Sequence, residues 1–216
     1  MTIEEIWNLV QRMAVASLTT LELFFFTLLF ALPLGMVFAF GRMSKIRPIR
    51  WLTQVYLLVM RGTPLMLQLI FFFYVTPLAA AVGFTRLQVA IVAFIFNYAA
   101  YFAEIYRGGI EGVPVGQYEA ANVLGFSKRQ TFFRIVLPQV AKRILPPMGN
   151  EFITLVKDTS LALVIGVAEI TSLANKVQAS AVSMVPIVVA ALFYLLMNMV
   201  VSKGFSIAEK KLSYYH

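Results

Sequence analysis

Residues 118–138 read YEAANVLGFSKRQTFFRIVLP, and this stretch decides the fold because it lies, amphipathic and charged, between two strongly apolar halves. Residues 119–121 (Glu-Ala-Ala) favour a helix, and Gly125 falls where that helix would turn. A basic cluster follows, and Pro138 is expected to end the second helical pattern because proline cannot continue a helix. The stretch predicts a short helix–turn–helix that offers a surface to a docking partner.

The chain as a whole is too apolar for a water-soluble domain. Hydrophobic residues make up 60% of its 216 residues, whereas soluble domains contain about 45–50%. Residues 1–12 do not resemble a signal peptide, since acidic residues come first. Cysteine is absent, which excludes disulfides and thiolate metal sites. The net charge of +8 is better explained by basic cytoplasmic loops than by nucleic-acid binding.

The apolar segments predict one all-α membrane domain over residues 17–211, preceded by an amphipathic segment at residues 1–16. This first segment is either a short interfacial helix or an extension of the first crossing. The domain is expected to cross the membrane five times, at residues 17–40, 64–82, 87–106, 144–167 and 185–201.

Basic residues predict the orientation, because they favour the cytoplasmic side of a membrane. With five crossings, thirteen basic residues fall on the side of residues 118–138, and only Arg12, Arg86 and Lys176 fall on the other. The amino terminus is therefore expected outside and the carboxyl terminus in the cytoplasm. No GxxxxGK[ST] phosphate loop occurs, so the chain is not expected to hydrolyse ATP itself.

The fourth predicted crossing carries an unusual polar face. A charge at bilayer depth costs at least ~2.5–3.5 kcal/mol, so such residues normally face a cavity or a partner. The residues of this face are Asn150, Glu151, Thr154, Lys157 and Asp158. On a helix, they fall within an arc of about 120°.

Two hypotheses account for this face. In the first it lines the path of a small zwitterion. Glu151 or Asp158 would meet an ammonium group, and Lys157, Asn150 or a freed helix-end amide would meet a carboxylate. In the second these groups pair with neighbouring crossings or close a subunit contact. The two are equally supported for Lys157 and Asp158, whereas the path is favoured for Asn150 and Glu151.

Residues 118–138 resemble the EAA loop of ABC-importer permeases. Further motifs are RGTP at 61–64, AEIYRGGI at 103–110, GNEF at 149–152 and KDTSL at 157–161. Together they resemble the polar amino acid branch of that family over roughly residues 17–210. The positions that match the EAA pattern are Glu119, Ala120, Ala121, Gly125, Ile135, Leu137 and Pro138.

The resemblance implies a type I importer fold that works by alternating access in a bacterial inner membrane. It implies a second permease (identical or a sister chain), a solute-binding protein outside, and two ATP-binding subunits that hold ATP and Mg and grip the loop from the cytoplasm. The substrate would be a polar amino acid such as glutamine, arginine, histidine or cystine, met in some members near Asn150 and Glu151. No cofactor or metal is expected in this chain.

Two other functions remain open from the residues themselves. Glu151, Lys157 and Asp158 would also suit the relay of an ion- or proton-coupled carrier. Alternatively, the chain is a membrane anchor or assembly factor that transports nothing.

Overall fold

The protein, seen in a computed structural model, has only helices as regular secondary structure in the parts that the structure describes, residues 1–79 and 83–212. The last residues assigned to the second predicted crossing, 80–82, lie outside that range. The helices are α1 (Ile3–Arg42), α2 (Arg47–Gly62), α3 (Leu65–Ala79), α4 (Arg86–Glu111), α5 (Val115–Val123), α6 (Lys128–Thr131), α7 (Leu137–Asp158), α8 (Ile170–Ala181) and α9 (Val185–Leu212), with a π-helical segment at Phe132–Val136 and a 3₁₀ helix at Thr159–Ile165.

Helix α4 forms the centre of the bundle, because small residues along it let its neighbours approach closely. Ala93, Ala99 and Ala103 are fully buried. Helix α1 lies against this surface, and a Cβ atom on Gly35 would stand only 2.8 Å from Phe102 Cβ. Small residues at such crossings are typical of membrane helices, where close packing replaces the hydrophobic effect as the driving force.

Three helices are long and apolar enough to cross a membrane, namely α1, α4 and α9. A fourth crossing is possible if α2 and α3 count as one broken span, since they meet at 112°. These findings concern the described residues. An all-helical membrane protein is therefore confirmed, whereas the expected total of five crossings stays a prediction.

The segment predicted as the fourth crossing is not one helix. Helix α7 begins at Leu137, before the expected start at residue 144, and ends at Asp158. A 3₁₀ helix then leads to Gly166, whose φ of 76° is left-handed and stops the chain from continuing as a helix. Pro146 and Pro147 lie inside α7 without dividing it into two elements.

Residues 1–16 do not form a separate helix. The side chain of Thr2 accepts a hydrogen bond from the backbone N–H of Glu5, and the Glu5 side chain reaches back to the Thr2 backbone. This capping box starts α1, which then runs without interruption to Arg42. Of the two alternatives, the structure therefore has the extension of the first crossing rather than a distinct interfacial helix.

Candidate functional site

The loop at residues 118–138, called here the coupling surface, turns at Gly125. Its φ is +75°. Phe126 N–H donates to Ala121 O and Gly125 N–H donates to Asn122 O, which is the Schellman arrangement that closes a helix carboxyl end. The predicted helix–turn–helix is present, and glycine is favoured at the turn because it has no Cβ to strain a left-handed backbone.

Beyond the turn, the expectation that Pro138 ends the helical pattern is wrong. Ser127 caps α6, a π-helical segment follows, and the backbone then continues directly into α7. In the π segment Leu137 N–H bonds to Phe132 O, five residues back. This wider register accommodates the missing N–H of Pro138 near the start of α7, so the proline is tolerated.

The coupling surface exposes apolar side chains that have no cover in the single chain. Val123 is 85% exposed, Leu124 73% and Phe133 56%, whereas Ala121 is only 1% exposed and packs inward. Glu119 and Ala120 are also exposed. An exposed apolar patch rimmed by polar residues is typical of a protein-interaction site.

Glu151 of the predicted polar face lines a cavity of about 420 Å³, called here the charged cavity. Arg61 reaches it from α2, Tyr101 and Glu104 from α4, and Arg143 from α7. Two guanidinium groups and two carboxylates therefore surround one space. Among the side chains that the structure describes, no cation lies within 4.0 Å of the Glu151 carboxylate.

The other carboxylate at the charged cavity, that of Glu104, is already paired with arginine side chains. Arg107 Nη2 lies 2.6 Å from Glu104 Oε2, and Arg61 Nη1 lies 3.7 Å from the same oxygen. Arg107 also pairs with Glu111. Arg61 lies over the ring of Tyr101, with 5.6 Å between its guanidinium carbon and the ring centre. Arg61 is thus held at the cavity by a long ion pair and a ring contact.

The remaining members of the predicted face are not brought together. The Asp158 carboxylate accepts a 2.8 Å hydrogen bond from Tyr98, which ties it to α4. Lys157 is exposed and lines a different cavity of about 480 Å³, between α7, α8 and α9. Asn150 is exposed and Thr154 half-buried. Neighbouring helices thus divide a face that helical periodicity had treated as continuous.

The site predicted from the sequence did not include Tyr98, Arg143 or Arg61. One signal for this site was present. Asn97, Tyr101 and Glu104 form a polar stripe on an otherwise apolar segment. Two of them, Tyr101 and Glu104, line the charged cavity. Nothing in the sequence indicated that Arg61 would meet this stripe, because the bend between α2 and α3 determines where it points.

Comparisons with known proteins identify the family. Residues 31–214 match the family described as "Binding-protein-dependent transport system inner membrane component". The chain belongs to this family.

Curated relatives narrow the assignment. The L-cystine transport system permease protein TcyB of Bacillus subtilis is 37% identical, over 97% of this chain and 92% of its own. The arginine transport system permease protein ArtQ of the same organism is 33% identical, over 89% of each chain. A crystal structure of an amino acid ABC transporter with histidines matches at a TM-score of 0.85 and 32% identity, over 98% of this chain and 100% of that one. The methionine transporter MetNI, at 17% identity and a TM-score of 0.73, shows only the same fold.

The protein is accordingly the inner-membrane permease component of a binding-protein-dependent amino acid ABC transporter. Such a system includes an ATPase and a binding protein, and its permease subunits have no ATPase activity of their own. Family membership decides against the ion-coupled carrier and the non-transporting anchor.

Proposed function

We propose that this permease carries a polar amino acid past the charged cavity and that Glu151 meets the ammonium group of the substrate. The observation that carries the proposal is the state of Glu151, a half-buried carboxylate that lines the cavity without a described cation within 4.0 Å. An acid in such surroundings is costly unless a cation joins it. The α-ammonium group of an amino acid is a cation of suitable size.

The opposite end of the substrate is assigned to Arg61. Lys157 was one of the candidates for the substrate carboxylate, but it lines another cavity. Arg61 shares the cavity with Glu151, and its 3.7 Å contact with Glu104 is long for an ion pair. A guanidinium group also binds carboxylates through two parallel hydrogen bonds. Asn150, Thr154 and Asp158 remain in the proposal as further lining of the path along α7.

A binding assay on the reconstituted transporter tests this assignment. The complex is titrated with cystine, glutamine, arginine and histidine, first as wild type and then with Glu151→Gln. We expect the amide to weaken binding of the preferred amino acid at least tenfold, because a neutral group does not attract ammonium. Glu209→Gln, at an exposed position of α9, is the matched control and should bind like wild type. Equal affinity in wild type and Glu151→Gln would remove Glu151 from the site.

We also propose that the coupling surface receives the ATP-binding subunits from the cytoplasm, with the amino terminus outside and the carboxyl terminus inside. Two such subunits would close on ATP and rock a pair of permeases, identical or sister chains, between outward- and inward-facing states of a five-crossing core. Nucleotide can shift this equilibrium only through contacts that differ between the states. The exposed Val123, Leu124 and Phe133 supply apolar area for such contacts.

The chain suits a labelling test of this orientation, because it has no cysteine. Lys128→Cys on the coupling surface should resist a membrane-impermeant maleimide in intact cells and react after permeabilisation. Lys176→Cys on α8 should show the opposite pattern. Labelling of Lys128→Cys from outside would overturn the proposed orientation. Cross-linking of Val123→Cys to the ATPase subunit would then test the docking itself.

A further inference from the structure

Another cavity lies where the end of the coupling surface meets the start of α7, and it differs from the charged cavity in composition. It measures about 650 Å³ and is lined by three basic side chains, Arg134, Lys142 and Arg143. None of its lining residues is acidic. We call it the basic cavity. A space with three cations and no carboxylate in its wall favours an anion.

The wall of the basic cavity contains residues from before and after the turn at Gly125. The Gln139 side-chain amide donates to Gln117 of α5 at 3.2 Å and to the Ile135 carbonyl at 3.0 Å. The first of these bonds holds α5 beside the first turn of α7. Arg143 lies at the carboxyl end of α4, since its Nη1 is 2.9 Å from where a Gly112 Cβ would be. The negative end of the α4 dipole favours a guanidinium there.

The remaining lining is apolar. Ile135, Pro138 and Pro146 complete the wall. A small soluble anion would gain nothing from these groups. An amphipathic ligand, with an anionic head and a hydrocarbon body, would use both kinds of wall.

The position of the cavity matches such a ligand. Its residues run from 134 to 146 and therefore include the point, near residue 144, where the apolar pattern predicts that the chain enters the membrane. Phosphate groups of lipids lie at that level, and basic pockets between helices on the cytoplasmic side bind anionic head groups. The apolar side chains proposed to meet the ATPase, Val123, Leu124 and Phe133, are not part of this wall.

We propose that the basic cavity binds the head group of an anionic glycerophospholipid from the inner leaflet, with Arg134, Lys142 and Arg143 around the phosphate. The choice of leaflet rests on the orientation proposed above. Ile135 and Pro138 belong to the coupling surface, so the bound lipid touches the segment proposed to transmit nucleotide state. Arg143 also lines the charged cavity, which makes it common to the lipid site and the substrate site.

The test uses the permease–ATPase complex in nanodiscs that contain phosphatidylcholine and phosphatidylglycerol in equal amounts. Native mass spectrometry after mild delipidation counts the lipids of each kind that remain bound. We expect wild type to retain phosphatidylglycerol selectively. Arg134→Gln with Lys142→Gln should lower this retention roughly twenty-five-fold, at about fivefold for each basic group removed.

Two variants serve as controls. Arg47→Gln with Arg50→Gln removes the same charge from exposed positions of α2 and should retain lipid like wild type. Arg134→Lys with Lys142→Arg keeps both charges and should also retain it, which covers the case in which the glutamine pair folds poorly. Binding of the preferred amino acid is measured in every preparation. If wild type bound no amino acid, the proposed function would be contradicted, while selective retention of phosphatidylglycerol would still support the lipid site.

Three results would overturn the lipid site. One is equal retention of the two lipids by wild type. The second is equal loss in the cavity pair and in the α2 pair, which would indicate diffuse charge attraction. The third is displacement of phosphatidylglycerol by millimolar inorganic phosphate, which would make the cavity a site for a soluble anion.

Discussion

The Tyr98 hydroxyl donates a 2.8 Å hydrogen bond to Asp158 Oδ2, and this bond joins the centre of α4 to the last residue of α7. The backbone changes from α-helix to 3₁₀ helix at the next residue. Tyr98 is almost completely buried. The bond therefore fixes a carboxylate at the point where the fourth predicted crossing changes its course.

Removing the hydroxyl should destabilise the protein. Tyr98→Phe leaves the Asp158 carboxylate without its donor in half-buried surroundings, and we expect a loss of about 1–3 kcal/mol in the free energy of unfolding. The thermal unfolding midpoint of the complex in detergent measures this loss. Tyr74→Phe, at an exposed position of α3, is the matched control and should leave the midpoint unchanged. A Tyr98→Phe variant as stable as wild type would show that water replaces the phenol.

Asn97 makes a comparable contribution at the bend between α2 and α3. Its amide donates to the Met60 carbonyl at 3.1 Å and to Gln68 Oε1 at 2.9 Å, while Gln68 donates to Thr63 Oγ1 at 2.8 Å. These bonds satisfy polar groups that the 112° break leaves without helical partners. We expect Asn97→Ala to lower the free energy of unfolding by about 1–3 kcal/mol.

The same substitution should also loosen Arg61, which lies at the carboxyl end of α2, one residue after Met60. A spin label or fluorophore at Arg61→Cys should be more mobile in the Asn97→Ala background than in the native one. Asn8→Ala, at an exposed position of α1, controls for the loss of an amide. Unchanged mobility and stability would show that packing alone maintains the bend.

The contrast between these two sites and the coupling surface shows which features could be predicted from the sequence. The turn at Gly125 depends on local rules, glycine after a run of helix-forming residues, and it was predicted with the family. The bend at Met60 depends on a donor 37 residues away, at Asn97. No local pattern indicates that pairing, and the place of Arg61 in the charged cavity depends on it.

The predicted polar face of α7 failed as one unit for a related reason. Periodicity shows which residues share a side of a helix, but not which neighbours divide that side. Here Glu151 turns toward α4 and the charged cavity, whereas Lys157 turns toward α8 and α9. Pro138 is a different case, because a π-helical segment changes the hydrogen-bond register just before it.

Two adjacent glycines on α4 should respond differently to substitution by alanine. A Cβ on Gly109 would clash with Ile144 Cγ2 and stand 3.3 Å from Val140 Cγ1, whereas a Cβ on Gly108 would meet nothing within 4 Å. We expect Gly109→Ala to destabilise the protein by about 1–3 kcal/mol through overpacking. Gly108→Ala should be neutral or stabilising by up to about 1 kcal/mol, since alanine is the better helix former. Thermal unfolding of the two variants decides the question, and a stabilised Gly109→Ala would mean that α4 and α7 separate freely.

A substitution at Gly125 should affect coupling to the ATPase much more than folding of the permease. A Cβ there would meet nothing within 4 Å inside this chain, although φ is +75°. Asparagine and aspartate tolerate that backbone better than other residues, so Gly125→Asp should cost the permease at most about 1–2 kcal/mol. If the coupling surface docks on the ATPase as proposed, however, the added carboxylate is forced into a close contact there. We expect substrate-stimulated ATP hydrolysis to fall at least tenfold while amino acid binding persists.

The controls for Gly125 distinguish bulk from charge and position. Gly125→Asn has nearly the same size and backbone tolerance without the charge, so a loss in both variants indicates a steric contact and a loss in aspartate alone indicates repulsion. Gly116→Asp places the same carboxylate on α5 at another position with open space around it and should couple normally. If Gly125→Asp hydrolyses ATP and transports like wild type, then Gly125 does not lie against the ATPase, and the proposed docking surface has to be moved.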